Sequence, residues 1–327
     1  MISLIRRLFV IAFLTSVSIP VHAQTCSCAG APLISSQSPG TSAQGQWLLG
    51  MTYEFHEISS VYNGTTLLKG DETRRSTQSA LFEANYGITD RLGVTGTFTY
   101  VRKDRESGRA VPGTGNQVIT SGLGDGLITF NYQLVEQSLW NRYGFSLIGG
   151  LKMPLGSTSR THNGFMLNAD MQPGTGAWDG VIGGRFSVSL LPHLSMNLFT
   201  DTRFRKTGSN PRFGKNDEYA FGNELVSNLG FAGEINQQLN YTLQMRYRST
   251  SSDERNGNSM PNTGGYWLSA VPAINYSFSD RVGIRVSGQL PLHQKLNGTQ
   301  PSTTFTVNGS LFINFNQPQQ DFTYGTP

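Results

Sequence analysis

The sequence predicts a single transmembrane antiparallel β-barrel of about twelve strands, all-β throughout. Three observations predict it. Apolar residues recur at every second position from residue 46 onward, the connections alternate between short and long, and the chain is poor in charge without being rich in apolar residues. Charged residues are 14% and hydrophobic residues 37% of the 327. Soluble domains carry roughly 25% and 45–50%, the second figure counting glycine. Glycine is abundant instead, at 38 residues. A mean hydropathy of −0.28 argues against a helical membrane protein. Aromatic residues at 11% and a net charge of +4 argue against disorder.

The chain begins with what reads as a cleaved signal peptide, residues 1–23. Arg6 and Arg7 form its basic start, residues 8–17 its apolar stretch, and Val21-His22-Ala23 its small-x-small cleavage site. The stretch is too short to span ~30 Å of hydrocarbon as a helix. Without Arg6 and Arg7 the mature chain has 23 basic and 21 acidic residues, a balance that gives no case for nucleic-acid binding. Residues 24–45 read as a flexible segment that could plug a barrel from the periplasmic side. They include Cys26 and Cys28. A disulfide across one residue closes a strained ring, and no further Cys or His stands nearby to complete a metal site. Residues 316–327 read as a C-terminal tail.

Between them, residues 46–315 carry the alternation. Trp47, Leu49, Met51, Tyr53 and Phe55 occupy one face of the first run, and Leu48, Gly50, Thr52, Glu54 and His56 the other. The same division recurs eleven times, for example with Ala80, Phe82, Ala84 and Tyr86, and with Tyr241, Leu243, Met245 and Tyr247 facing Thr242, Gln244, Arg246 and Arg248. Side chains alternate across a strand, so each run has an apolar wall and a mostly polar one. The runs are long enough to cross a bilayer at a tilt, which takes ~9–11 residues.

The links supply the sidedness. Short ones lie at residues 89–91, 136–141, 191–193, 233–238 and 279–281. Long polar ones lie near residues 57–75, 103–122, 155–174, 206–219, 249–264 and 293–302. Short periplasmic turns and longer outer loops are the habit of outer-membrane barrels. Tyr53, Phe55, Tyr100, Trp178, Phe204, Tyr247 and Tyr266 then fall near the outer rim. Tyr86, Tyr132, Tyr143, Tyr241, Tyr276, Phe278 and Phe315 fall near the inner one, giving the two aromatic girdles expected where lipid meets water. A soluble β-sandwich would carry more Lys and Glu on its exposed face; here there are six Lys.

The polar walls collect the charges. Glu54, Glu83, Asp125, Lys152, Asp179, Arg185, Asp201, Arg203, Glu224, Arg246, Arg248 and Arg285 are the candidate lumen-lining residues. Two readings stand side by side: a polar pathway whose charges select what passes, and a network of ion pairs filling a narrow barrel. Eight strands give a filled interior and 16–18 an open channel, so twelve lies between.

Several short motifs occur in a fixed order: Gly122-Leu123-Gly124-Asp125-Gly126, Leu151-Lys152-Met153-Pro154-Leu155-Gly156, Gly174-Thr175-Gly176-Ala177-Trp178-Asp179, Leu268-Ser269-Ala270-Val271-Pro272 before Asn275-Tyr276-Ser277, and Gln289-Leu290-Pro291-Leu292. Over residues 46–315 this order resembles the outer-membrane family named for the meta-pathway of phenol degradation. The resemblance implies a channel or facilitated transporter for small solutes, including aromatic or hydrophobic compounds. It also implies residence in the outer membrane of a Gram-negative bacterium, with lipid, lipopolysaccharide and the barrel-assembly machinery as partners. The tail after residue 315 and the Ala270-Val271-Pro272-Ala273 run depart from the family pattern.

No cofactor or metal site and no enzyme is expected. The glycines at 122, 124 and 126 are not followed by a helix, so they ease a strand bend rather than cradle a phosphate. His56 with Asp71 could suggest a barrel protease, and His162-Asn163-Gly164 a barrel phospholipase without the Ser it would need; neither shows a nucleophile, base and orienting group together. Asp217, Glu218, Asp253 and Glu254 read as a solvated surface. The alternative to a channel is a structural or interaction barrel with surface-binding loops.

Overall fold

A computed structural model describes residues 43–69, 74–107, 116–138, 141–191, 196–214 and 216–315. The signal peptide, all but the last three residues of the flexible segment with both cysteines, and the C-terminal tail lie outside these. Twelve antiparallel strands form the wall: β1 (Trp47–Ile58), β2 (Arg74–Gly87), β3 (Leu92–Ser107), β4 (Gly126–Val135), β5 (Tyr143–Met153), β6 (Asp179–Leu191), β7 (Met196–Lys206), β8 (Glu224–Glu234), β9 (Leu239–Thr250), β10 (Gly265–Ser277), β11 (Val282–Leu296) and β12 (Phe305–Phe315). Each pairs with its neighbour in sequence, and β1 pairs with both β2 and β12, so the sheet closes on itself. Closure is what lipid demands, since an open edge would leave backbone groups unpaired.

The alternation sorts the two faces. On β1, Trp47, Leu49, Met51 and Tyr53 are exposed while Leu48, Thr52 and Glu54 are buried. Exposed apolar side chains continue around the barrel, among them Phe82, Phe98, Phe130, Leu151, Ile182, Leu229, Leu243, Ile274 and Leu311. This outer band is a lipid-facing surface. Aromatic rings meet near its rims, Trp47 with Tyr86 at 4.6 Å and Tyr276 with Phe278 at 5.0 Å on one side, Tyr247 with Tyr266 at 6.0 Å on the other.

Three of the short turns share one chemistry. Thr89, Asn236 and Ser279 each offer a side-chain oxygen to the backbone N–H groups two and three residues on, a local bond that favours a tight reversal. The outer links are more structured than a polar loop implies. Asn116–Leu123 continues β4 outward and pairs with β3. Ser209–Phe213, Asp217–Ala220, Glu254–Arg255 and Asn258–Ser259 form a four-stranded ribbon above the barrel. Ser60–Asn63 pairs with Thr299–Ser302 beside it. Asn163-Gly164 and Asn256-Gly257 turn two of the outer hairpins with both residues at positive φ, the backbone that Asn-Gly best adopts.

The Gly-Leu-Gly-Asp-Gly motif is a β-bulge. Val101 faces Gly122, and Thr97 faces Leu127. Five steps along the fourth strand therefore match four along β3. The extra residue changes which side chains point inward, and it delivers Asp125 to the buried face, 4% exposed.

Candidate functional site

A ladder of alternating charge runs around the outer part of the inner wall. Lys152 Nζ lies 2.8 Å from Asp125 Oδ2 and 3.1 Å from Asp179 Oδ2. Asp179 is 3.6 Å from Arg205, Arg205 is 2.9 Å from Glu224, and Glu224 is 2.6 Å from Arg248. The Arg248 guanidinium lies over the Trp267 ring at 4.9 Å from its centre. The members come from the bulge before β4 and from β5, β6, β7, β8, β9 and β10 in turn. The register explains the contacts: Lys152 stands opposite Asp179, and Arg205 opposite Glu224. Cross-strand neighbours of opposite sign attract, and charges this buried must be paired. Leu127, Val181 and Val226 form a small apolar cluster on the same inner face, in register with Lys152, Arg205 and Arg248 respectively.

Asp125 and Lys152 also hold a loop. In the third outer link, residues 154–178, the two arms pack against the inner wall while the hairpin at residues 159–166 stays exposed. At its two ends Gly156 N and Thr175 N donate to Asp125 at 3.2 and 3.0 Å, and the Thr175 hydroxyl donates at 2.6 Å. Lys152 donates to the Thr175 hydroxyl and to Ala177 O. Gly156 and Gly174 pass so closely that a Cβ on either would sit 2.5 Å from the other's backbone. Farther along, Arg75 pairs with Asp170 at 2.7 Å. Lys103 Nζ donates to the carbonyls of Asp170 and Gln172 at 2.7 and 2.8 Å, and Thr120 donates to Met171 O at 2.7 Å. Gln172, fully buried, ties the loop to itself through Arg160 and Leu167. The loop thus spans inner-face residues of β2, β3 and the outer extension of β4.

Deeper in the barrel the pairing changes. Arg246 donates to Asn228 at 3.0 Å and to Gln289 at 2.9 Å, and Arg285 donates to Asn275 at 3.3 Å. Asp201 and Arg203, two apart on β7, form a two-point ion pair of 3.0 and 3.2 Å. Arg185 stacks on Phe199 at 5.6 Å. Glu54, Glu83, Arg246 and Arg285 line a cavity of about 40 Å³ with Ser287, Asn308, Ser310 and Phe312. A water needs roughly 10–15 Å³ by the same measure, so the cavity has room for a few. Glu54 also approaches His56 Nε2 at 3.3 Å, and His56 Nδ1 meets the Thr306 hydroxyl at 3.1 Å. That Thr–His–Glu row is a cross-strand contact whose threonine is 2% exposed. Asp71 lies outside the described residues.

Of the twelve residues singled out in the sequence, Asp125, Lys152, Asp179, Glu224 and Arg248 stand in the ladder and Glu54, Glu83, Arg246 and Arg285 line the deeper cavity, while Arg185, Asp201 and Arg203 stand on the same inner face. Arg75, Lys103, Arg205, Thr175 and Gln172 were not singled out. Arg205 sits one strand from Asp179 and alternates correctly, so its period would have found it. Nothing in a loop sequence signals that residues 169–175 fold inward. Among the outer acids, Asp217 pairs with Arg255 and fits a solvated surface. Asp253 does not: it is 1% exposed, receives the Tyr219 hydroxyl at 2.7 Å and Gly222 N at 2.8 Å, and burial pushes its carboxyl above the usual range.

No protein-family model matches the chain, and no curated protein matches its sequence. Solved structures do match its shape. An outer membrane channel from Pseudomonas putida F1 superposes with a TM-score of 0.67 at 16% identity, covering 86% of this chain and 100% of that one. The transport unit of the autotransporter AIDA-I from Escherichia coli gives 0.51 at 7% identity, over 89% and 96%. The fold is that of outer-membrane β-barrels.

Proposed function

We propose that this chain is an outer-membrane channel for small solutes, whose narrow lumen is set by the inward third loop and by the charged cavity beneath it. The observation that carries the reading is the inner wall itself. It is polar and charged from the loop-lined mouth to the cavity of Glu54, Glu83, Arg246 and Arg285, a lining that would screen passing solutes by charge and size. The lipid-facing band supports residence in the outer membrane. Cleavage after residue 23, lipopolysaccharide at the rim and assembly by the barrel machinery belong to the same proposal. The motif order that resembles the phenol meta-pathway family supports aromatic or hydrophobic solutes as cargo. Planar-bilayer recording and liposome swelling with the purified barrel test the reading. Ion current and solute uptake are expected, and a barrel that passes neither, with residues 24–45 removed as well, would overturn it.

A second reading has one observation in its favour. Phe165, at the tip of the third loop's hairpin, is 79% exposed, and exposed aromatics favour contact with a partner. In an interaction barrel the loops would bind a surface while the lumen stays closed.

A further inference from the structure

We infer that the outer face carries a binding site for a small, neutral, flat molecule of single-ring size bearing one hydrogen-bond donor. The site lies between the third, fourth and fifth outer loops. A cavity of about 120 Å³ opens there, lined by Met166, Leu167, Ala169, Asp170, Phe213 and Tyr219, with Asn168 and the Asp217–Arg255 pair completing its wall. An apolar cavity of ~150 Å³ admits benzene, so this volume fits a single ring and little more.

The wall chemistry sets the class. Phe213 and Tyr219 stack at 4.8 Å, and Phe221 closes the group at 4.8 Å from Tyr219. The Tyr219 hydroxyl is turned away to Asp253, and a buried proton shared in this way holds its pKa well above the usual phenol value. It therefore stays neutral and keeps the ring fixed as a wall. A fixed aromatic wall beside a thioether favours a flat apolar body. Both carboxylates at the cavity are matched by arginines, Asp170 by Arg75 and Asp217 by Arg255. A charged ligand would disturb those pairs, whereas a neutral one leaves them intact. Asp170 has Oδ2 on Arg75, while its buried Oδ1 has no hydrogen-bond partner among the described residues. A buried acceptor without a partner is costly. Asp170 lines the cavity, and a donor seated there would give Oδ1 the partner it lacks while Oδ2 keeps Arg75.

The site rests on the geometry of the loops and not on conduction, so it stands or falls independently of the channel reading. The test uses the full chain in detergent micelles, with 4-fluorobenzyl alcohol as probe and ¹⁹F line broadening as readout. Saturable broadening is expected for the native chain. Asn168→Trp, at an exposed lining position, should fill the cavity and weaken binding at least tenfold while the barrel keeps its heat-resistant mobility on gels. Under the same conditions 4-fluorotoluene, which lacks the donor, should bind several-fold more weakly. Absence of saturable broadening, or equal binding to the native and Asn168→Trp chains, would overturn the site. Equal binding of the two probes would overturn the part assigned to Asp170.

Discussion

At the outer level of the wall, acids meet bases: Lys152 sits between Asp125 and Asp179, and Arg205 and Arg248 flank Glu224. A few residues deeper, amides join the carboxylates: Arg246 bonds Asn228 and Gln289, Arg285 bonds Asn275, both share a cavity with Glu54 and Glu83, and Asp201 pairs with Arg203. An amide positions a guanidinium without neutralising it, whereas a carboxylate does both. The outer ladder is thus suited to locking strands and loop together, and the deeper cavity gathers charges of both signs around a small open space.

The largest effect should come from the ladder's centre. Lys152→Met leaves Asp125 and Asp179 buried around a missing cation, and breaking a buried pair in this way costs ~3–5 kcal/mol. Urea unfolding of the barrel in micelles should show a loss of that order, and an unchanged midpoint would remove the ladder's structural role. Asp125→Asn is the milder break. It weakens the bonds from Lys152, Thr175 and Gly156, with charge-assisted bonds worth ~1.5–3 kcal/mol each. The barrel should persist while residues 154–178 become open to protease; full protection would show that the loop is held elsewhere.

Arg246→Gln probes the deeper level. Its bonds to Asn228 and Gln289 are to neutral amides and a glutamine keeps hydrogen-bonding groups at the position, so stability should change less than in Lys152→Met. One positive charge leaves a cavity lined by two arginines and two glutamates, so the reversal potential in a salt gradient should move toward cation preference. No movement would show that ions do not pass this cavity.

The smallest effect belongs to the outer ribbon. The Arg255 guanidinium and the Asn256 amide hold the Asp217 carboxyl below the usual range. Its contribution is therefore present above the ordinary carboxylate pKa and is lost only as pH falls through the lowered value. An exposed pair is worth ~0–1 kcal/mol. Asp217→Asn should raise hydrogen exchange slightly in residues 254–259 at neutral pH and leave the barrel's unfolding midpoint unchanged.

The difference between the two levels was only partly legible in the sequence. Period-two alternation marks which side chains point inward, because strand geometry forces it. The register that pairs Lys152 with Asp179, and the bulge that turns Asp125 inward, depend on neighbours far apart in the chain. The inward packing of residues 169–175 is less legible still, since Lys103, Thr120 and Arg75 hold it largely through backbone carbonyls, which carry no side-chain signal. Asn163-Gly164 shows the opposite case: set beside His162 it suggested only an incomplete catalytic set, and in the fold it is a hairpin turn.

The central claim is that the third loop, latched by Asp125 and Lys152, limits a pathway through the lumen. Single-channel recording of the native chain, of Asp125→Asn and of each lacking residues 24–45 tests it most directly. A small native conductance that rises in Asp125→Asn is the expected result. Zero current in all four would contradict the claim, as would a native conductance that the substitution leaves unchanged.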